Sequence, residues 1–321
     1  MQYVGLGATG LQVSRLGIGT AALGLERYGI PTPGERVMDR ATAISLIRQA
    51  ADCGINLFDT APRYGLSEEL LGQALAAYPN CLIATKVSVP DTIETISSSE
   101  LCRMVHASLD ASRRALQRDV LDIVQIHNAT VPVLQQGRFV ECLECAREAG
   151  ALRWIGASVY GPDTAMAAIQ TGKIQVLQLA LSLLDQRMCS QVLPEAEKAG
   201  VGVLARSALL KGALTKRARW LPESLRPVAE ASARAVRGLG TTWDELPTMA
   251  LRFCLTLPSA QCVLVGVREP AELVKCLEAE ADGPMPSELL KIAGTLMLND
   301  EHLLNPTYWG LQESDTCEVE L

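Results

Sequence analysis

Residues 55–86, INLFDTAPRYGLSEELLGQALAAYPNCLIATK, hold a short apolar run, a helix-like segment and a second apolar run. INLFD (55–59) and CLIATK (81–86) have the length and composition of buried strands, and SEELLGQALAAY (67–78) has apolar residues at helical spacing. A strand, a helix and a strand in that order make a crossover unit with parallel strands. The same alternation extends both ways. RLGIG (15–19) lies upstream; DIVQIH (122–127), RWIGAS (153–158), VLQLAL (176–181), GVGVLAR (200–206) and QCVLVGV (261–267) lie downstream. Helical patterns fall between them at 40–54, 103–117 and 133–150. Eight such units in 321 residues predict an α/β fold, a (β/α)8 TIM barrel. No Ser/Gly-rich linker or shift of composition divides the chain, so residues 1–321 read as one domain. An extra helix is expected within 232–255, between strands seven and eight, and another after Pro284.

The chain opens on VGLGATGLQVSRLGIG, in which Gly5 to Gly10 spell G-x-G-x-x-G. That motif cradles a dinucleotide only between a buried strand and a helix. Here only four residues precede it, and the alternation of Leu11 and Val13 with polar residues follows it. Strand, glycine-rich turn, strand is the reading: a β-hairpin.

Composition narrows the function. The apolar fraction is 48% and the charged fraction 20%, as in a folded protein with a large core. A net charge of −7 without any Lys/Arg-rich block argues against a nucleic-acid surface. The N-terminus lacks the basic and apolar regions of a signal peptide, and no apolar run is long enough to span a bilayer. A cytoplasmic protein with no membrane partner is expected. Ten cysteines lie scattered from Cys53 to Cys317, and Cys142 and Cys145 form a C-x-x-C within a helical pattern. No second pair or nearby histidine completes a ligand set, so free thiols acting as small buried hydrophobes are expected. His106 and His302 fit a helix face and the tail, and no metal site is visible.

In a barrel of this kind, chemistry sits at the C-terminal ends of the strands. Asp59 ends strand two, Lys86 strand three and His127 strand four, and Tyr64 follows Asp59 on its loop. Singly, each residue has a commoner structural explanation, such as a cap or a solvated lysine. Together they describe a proton-transfer device. A tyrosine of pKa near 10 is a poor acid unless a neighbouring ammonium favours its phenolate. A buried ammonium needs a counter-charge, which Asp59 supplies. A neutral His127 can orient a carbonyl oxygen by hydrogen bonding.

FDTAPRYGLSEELLGQAL, LIATKV, LDIVQIHNA and RWIGAS together resemble the aldo-keto reductase superfamily. The resemblance covers nearly the whole chain, hairpin included, and the D-T-A-x-x-Y-G-x-S-E-x-x-L-G pattern from Asp59 to Gly72 is highly specific. It implies Tyr64 as general acid/base, Lys86 as its tuner, Asp59 as the holder of Lys86 and His127 as the group that positions the carbonyl. It also implies a nicotinamide dinucleotide bound without a Rossmann fold. Ser158 and Gln178 match residues that hold the carboxamide, and Arg206 occupies the place of an aromatic stacked on the ring. Ser207, Leu209 and the following loop match the pyrophosphate cover. Gly19, Thr20 and Asp59 join the cofactor set, as do Gly266, Arg268 and Glu272 in VGVREPAELVKCLEA (265–279).

Several positions depart from the family pattern. Val159 stands where asparagine is common, Leu181 where tyrosine is, and Cys276 where an asparagine contacts adenine. Glu272 replaces a glutamine or arginine and would favour a free 2′-hydroxyl, whereas Arg268 could pair with a 2′-phosphate. The balance favours NADP(H), with NAD(H) as the alternative.

Pocket candidates are Tyr28, Tyr64, His127 and Trp220, with Arg27, Tyr308 and Trp309 as further loop and tail residues. The N-terminal stretch and NPTYWG (305–310) are similar to the branch containing L-galactose dehydrogenase, which oxidises sugar lactols with NAD. The expected partner is a small-molecule carbonyl or sugar, and the expected state a monomer or small homo-oligomer. Two other readings stand beside this one. One is a cofactor-binding regulatory module with little turnover, like potassium-channel β subunits. The other is a lyase using Lys86 as a Schiff base.

Overall fold

The computed structural model describes residues 1–34 and 37–311. Eight parallel strands close into a barrel in chain order: β3 (Leu16–Gly19), β4 (Leu57–Asp59), β5 (Leu82–Ser88), β6 (Leu121–Ala129), β7 (Leu152–Val159), β8 (Val176–Ala180), β9 (Gly202–Arg206) and β10 (Cys262–Val265), which pairs back to β3. Each expected strand overlaps one of these. Ahead of them, β1 (Tyr3–Gly5) and β2 (Gln12–Ser14) form an antiparallel hairpin.

The helices in chain order are α1 (Ala21–Gly24), α2 (Arg40–Asp52), α3 (Ser67–Ala74), α4 (Ser98–Leu116), α5 (Val131–Gln136), α6 (Arg138–Glu148) and α7 (Pro162–Gln170). They continue as α8 (Val192–Lys198), α9 (Arg226–Gly238), α10 (Leu246–Thr256), α11 (Pro270–Ala281), α12 (Ser287–Ala293) and α13 (Glu301–Leu304). Two expected helices are each split. Residues 133–150 break at Gly137 into α5 and α6, and 232–255 divide into α9 and α10 around Gly240. Both glycines have positive φ, which no α-helix accommodates.

Side chains alternate across a strand, so every second residue of each barrel strand points inward. Leu57, Ala84, Ile123, Val176, Leu204 and Cys262 form an apolar inner layer, closed from below by Leu6 and Val13 of the hairpin. Two residues further along the same strands come Asp59, Lys86, Gln125, Gln178, Arg206 and Leu264. The alternation thus turns an apolar floor into a polar layer above it. Outside, the apolar faces of the strands pack against the helices.

The opening G-x-G-x-x-G lies in the hairpin turn at the barrel bottom. A Cβ on Gly7 would come within 2.3 Å of Gly202 N and 2.5 Å of Gly200 O, so a glycine lets the turn seat against β9.

The cysteine expectation needs correction. Cys102 of α4 and Cys142 of α6 are joined by a disulfide, because the buried Cys142 faces the neighbouring helix. Cys145, one turn on, is an exposed free thiol rather than a buried one. Cys317 lies outside the described residues. No described helix is long and apolar enough to cross a membrane.

Candidate active site

The polar layer converges on Asp59. Lys86 Nζ donates to both of its carboxylate oxygens at 2.8 Å and to the Thr60 carbonyl at 2.8 Å. Gln178 Nε2 donates to Asp59 Oδ1 at 2.6 Å and Gln125 Nε2 to the same oxygen at 3.1 Å. Lys86 is fully buried, and that burial lowers its pKa against the opposing pull of Asp59.

Tyr64 is held over this pair by a tight loop. Its amide donates to the Ala61 carbonyl, and its own carbonyl accepts from Ser67 at the start of α3. Gly24 packs beneath the loop so closely that a Cβ there would lie 2.1 Å from the Tyr64 oxygen. The result is a Lys86 Nζ 4.9 Å from the centre of the Tyr64 ring. His127 meets the same ring edge-on, with centroids 5.8 Å apart and planes at 89°. Burial pushes the His127 pKa down to about 3, helped by the positive charges of Lys86, Arg63 and Arg206. The imidazole is therefore neutral at pH 7. Its Nδ1 is buried and has no hydrogen-bond partner among the described residues.

These groups form the inner end of a cavity of about 690 Å³, within the roughly 300–1,000 Å³ common for small-molecule sites. Asp59, Tyr64, His127, Ser158, Gln178 and Arg206 line it, and Lys86 lies directly behind Asp59. Gly19, Tyr28, Ser207, Leu209, Gly266, Arg268 and Glu272 also border it. Several expected residues do not: Thr20 and Trp220, and the loop and tail candidates Arg27, Tyr308 and Trp309. Thr20 is fully buried off the wall, its amide and hydroxyl both donating to the Asp59 carbonyl at 2.9 Å. Trp220 is 44% exposed and lies beside the Arg219 guanidinium, away from the cavity. The loop after β9 turns it outward in a short 3₁₀ segment, Lys216–Trp220.

Other wall residues were not named singly by the sequence reading, although the loop after Leu209 and the 265–279 segment were assigned to the cofactor. Lys211, Lys216 and Arg217 border the cavity on the loop after β9, and Lys275 does so on α11. With Arg268 they make a basic arc in a net acidic chain. Tyr160 was also missed: the Arg206 guanidinium lies 4.1 Å above its ring and donates to the Val159 carbonyl at 3.1 Å. Only adjacency to Ser158 and Val159 could have signalled it. Among the described residues, no group of His, Cys, Asp and Glu could hold a metal ion.

A nicotinamide dinucleotide fits this donor set. The basic arc suits a diphosphate, and Ser158 and Gln178 offer hydroxyl and amide groups beside the inner end of the cavity. The buried, unpartnered His127 Nδ1 marks a polar site built for more than the chain alone.

The family profile described as the aldo/keto reductase family matches residues 15–291. The NADH-specific methylglyoxal reductase of Escherichia coli is 31% identical, over 67% of this chain and 69% of that protein. L-Galactose dehydrogenase of Arabidopsis thaliana is 28% identical over 84% of each chain. Among solved structures, the holo form of the aldo-keto reductase AKR11C1 from Bacillus halodurans superposes with a TM-score of 0.76 at 24% identity, covering 94% of this chain and 99% of that one. The chain belongs to the aldo/keto reductase family and is an NAD(P)-dependent oxidoreductase.

Proposed function

We propose that this enzyme interconverts an aldehyde or ketone, or a sugar lactol, with its alcohol or lactone, using Tyr64 as general acid/base and preferring NADP(H) to NAD(H). The observation that carries the reading is the stack of Asp59, Lys86 and Tyr64 beside a neutral His127 at the inner end of a basic cavity. In reduction, the Tyr64 hydroxyl gives its proton to the carbonyl oxygen. Lys86 stabilises the phenolate left behind, and Asp59 keeps the ammonium in place. His127, uncharged, hydrogen-bonds the same oxygen and fixes its direction. In oxidation, the Tyr64 phenolate takes the hydroxyl proton. A bound nicotinamide supplies or accepts the hydride at the substrate carbon.

Ser158 and Gln178 would hold the carboxamide, and Arg206, braced on Tyr160, would stack on the ring. Ser207, Leu209, Lys211, Lys216 and Arg217 would surround the diphosphate. Arg268 and Lys275 would meet a 2′-phosphate, while the Glu272 carboxylate is already engaged by the Arg268 amide at 2.7 Å. The relationship to L-galactose dehydrogenase supports keeping sugar lactols among the substrates.

The test is a panel of aldehydes, ketones and aldoses followed at 340 nm with each nucleotide. Turnover of at least one carbonyl class is expected. Nucleotide binding without turnover of any compound would favour a cofactor-binding regulatory role.

A further inference from the structure

We infer that the substrate carries an anionic group, a carboxylate or a phosphoryl, and that Arg63 pairs with it while Asn128 supplies a second polar contact. The inference rests on the carbonyl-oxidoreductase reading and narrows its substrate class.

Arg63 directly precedes Tyr64, borders the cavity and is solvent-exposed. Among the described residues its side chain makes no ion pair or hydrogen bond, in a chain with seven more acidic than basic side chains. The acids that share the cavity are already engaged. Asp59 accepts from Lys86, Gln125 and Gln178; Asp244 pairs with Lys216 at 2.6 Å; Glu272 accepts the Arg268 amide. Nor does Arg63 belong to the basic arc on the loop after β9 and on α11. It sits at the catalytic end, where its charge reaches His127. Arg206 adds a second guanidinium at that end. A guanidinium left open beside the reacting group is matched by an oxyanion that can accept two of its N–H bonds at once, a carboxylate or a phosphoryl.

Asn128 is the independent observation. Adjacent residues of a strand point to opposite faces, yet His127 and Asn128 both border the cavity. The cause is a register shift between Ile126 and Ala129, where β6 leaves its pairing with β7 and Asn128 takes φ +53°. A bulge of this kind re-aims a side chain, and a non-glycine residue in the left-handed region costs energy that function often accounts for. The exposed Asn128 amide makes no hydrogen bond to a described residue. It is free to receive a substrate oxygen beside the one that His127 orients.

The experiment compares two matched pairs with saturating nucleotide: 4-carboxybenzaldehyde against 4-methylbenzaldehyde, and glyceraldehyde 3-phosphate against glyceraldehyde. Wild type, Arg63→Gln, Arg63→Lys and Asn128→Ala are assayed for kcat and KM, and their NADPH affinity is measured by fluorescence. Wild type should prefer the charged member of at least one pair, and the pair with the larger preference identifies carboxylate or phosphoryl. Arg63→Gln should raise KM for that compound roughly 10- to 100-fold, with the neutral partner and NADPH affinity within about twofold. Arg63→Lys should restore part of the preference. Equal treatment of both members by wild type, or an Arg63→Gln loss shared by the neutral compounds, overturns the inference. A loss of NADPH affinity in Arg63→Gln does so too, by assigning the cation to the nucleotide. Failure to turn over all four compounds while NADPH still binds is a separate result: it removes the carbonyl reading, and this inference with it.

Discussion

Asp59 is the better-supported half of the pair it forms with Lys86. Its carboxylate accepts from the ammonium and also from Gln125 and Gln178, whereas among the described residues Lys86 Nζ has only Asp59 and the Thr60 carbonyl. Removing one partner of a buried ion pair costs about 3–5 kcal/mol, because a charge is left without compensation. Asp59→Ala should fall in that range by urea unfolding. Lys86→Met should cost less, since the carboxylate keeps two amide donors. Equal losses in the two variants would show that the glutamines give Asp59 no support.

Acid stability should carry the mark of His127. Its imidazole protonates near pH 6.5 in the unfolded chain but only at about 3 in the folded one. Between those values the unfolded state binds the extra proton, so stability falls as pH drops, by at most about 1.4 kcal/mol per unit. Above pH 6.5 the contribution is fully present and flat. The difference in unfolding free energy between wild type and His127→Asn should therefore shrink as pH falls from 6.5 to 4. A difference that does not change with pH would place the imidazole in an ordinary solvated setting. For the same reason His127 should give no inflection in kcat between pH 5 and 8.

Nucleotide preference should turn on Arg268. Its side chain already donates to the Tyr28 carbonyl at 2.9 Å, which holds the guanidinium at the cavity edge. Arg268→Ala should weaken NADPH binding roughly 10- to 100-fold, the scale of a charge-assisted contact, while NADH affinity changes little. Unchanged NADPH affinity would end the assignment.

Gly7 tests the meaning of the opening motif. An alanine there meets the backbone of residues 200–202 and a φ of +52°. Gly7→Ala should lower stability by about 1–3 kcal/mol without altering nucleotide affinity. Nucleotide affinity lost in a still-folded variant would return the motif to the cofactor.

The barrel was legible because its strands are apolar runs punctuated by turns, a pattern that survives without three-dimensional context. Asp59, Lys86 and His127 were legible because strand ends face one rim, whereas Ser158, Gln178 and Arg206 were reached only through the family resemblance. Which side chains of the loop after β9 reach the cavity was not legible. Trp220 read as a pocket aromatic, yet a short 3₁₀ segment turns it to solvent, while Lys211 and Arg217 from the same loop reach the cavity. Asn128 drew no reading, because a register shift leaves no trace in spacing. The Cys102–Cys142 link joins residues 40 apart, and only helix packing reveals that they meet.

The most direct test of the account is single-turnover carbonyl reduction by Tyr64→Phe at saturating nucleotide, beside wild type. The phenyl ring keeps its place over Lys86 and loses only the hydroxyl that carries the proton, so the rate should fall by about 10²–10⁴-fold with nucleotide Kd within twofold. A rate near that of wild type would contradict Tyr64 as the proton donor and, with it, the role given to the charges beneath it.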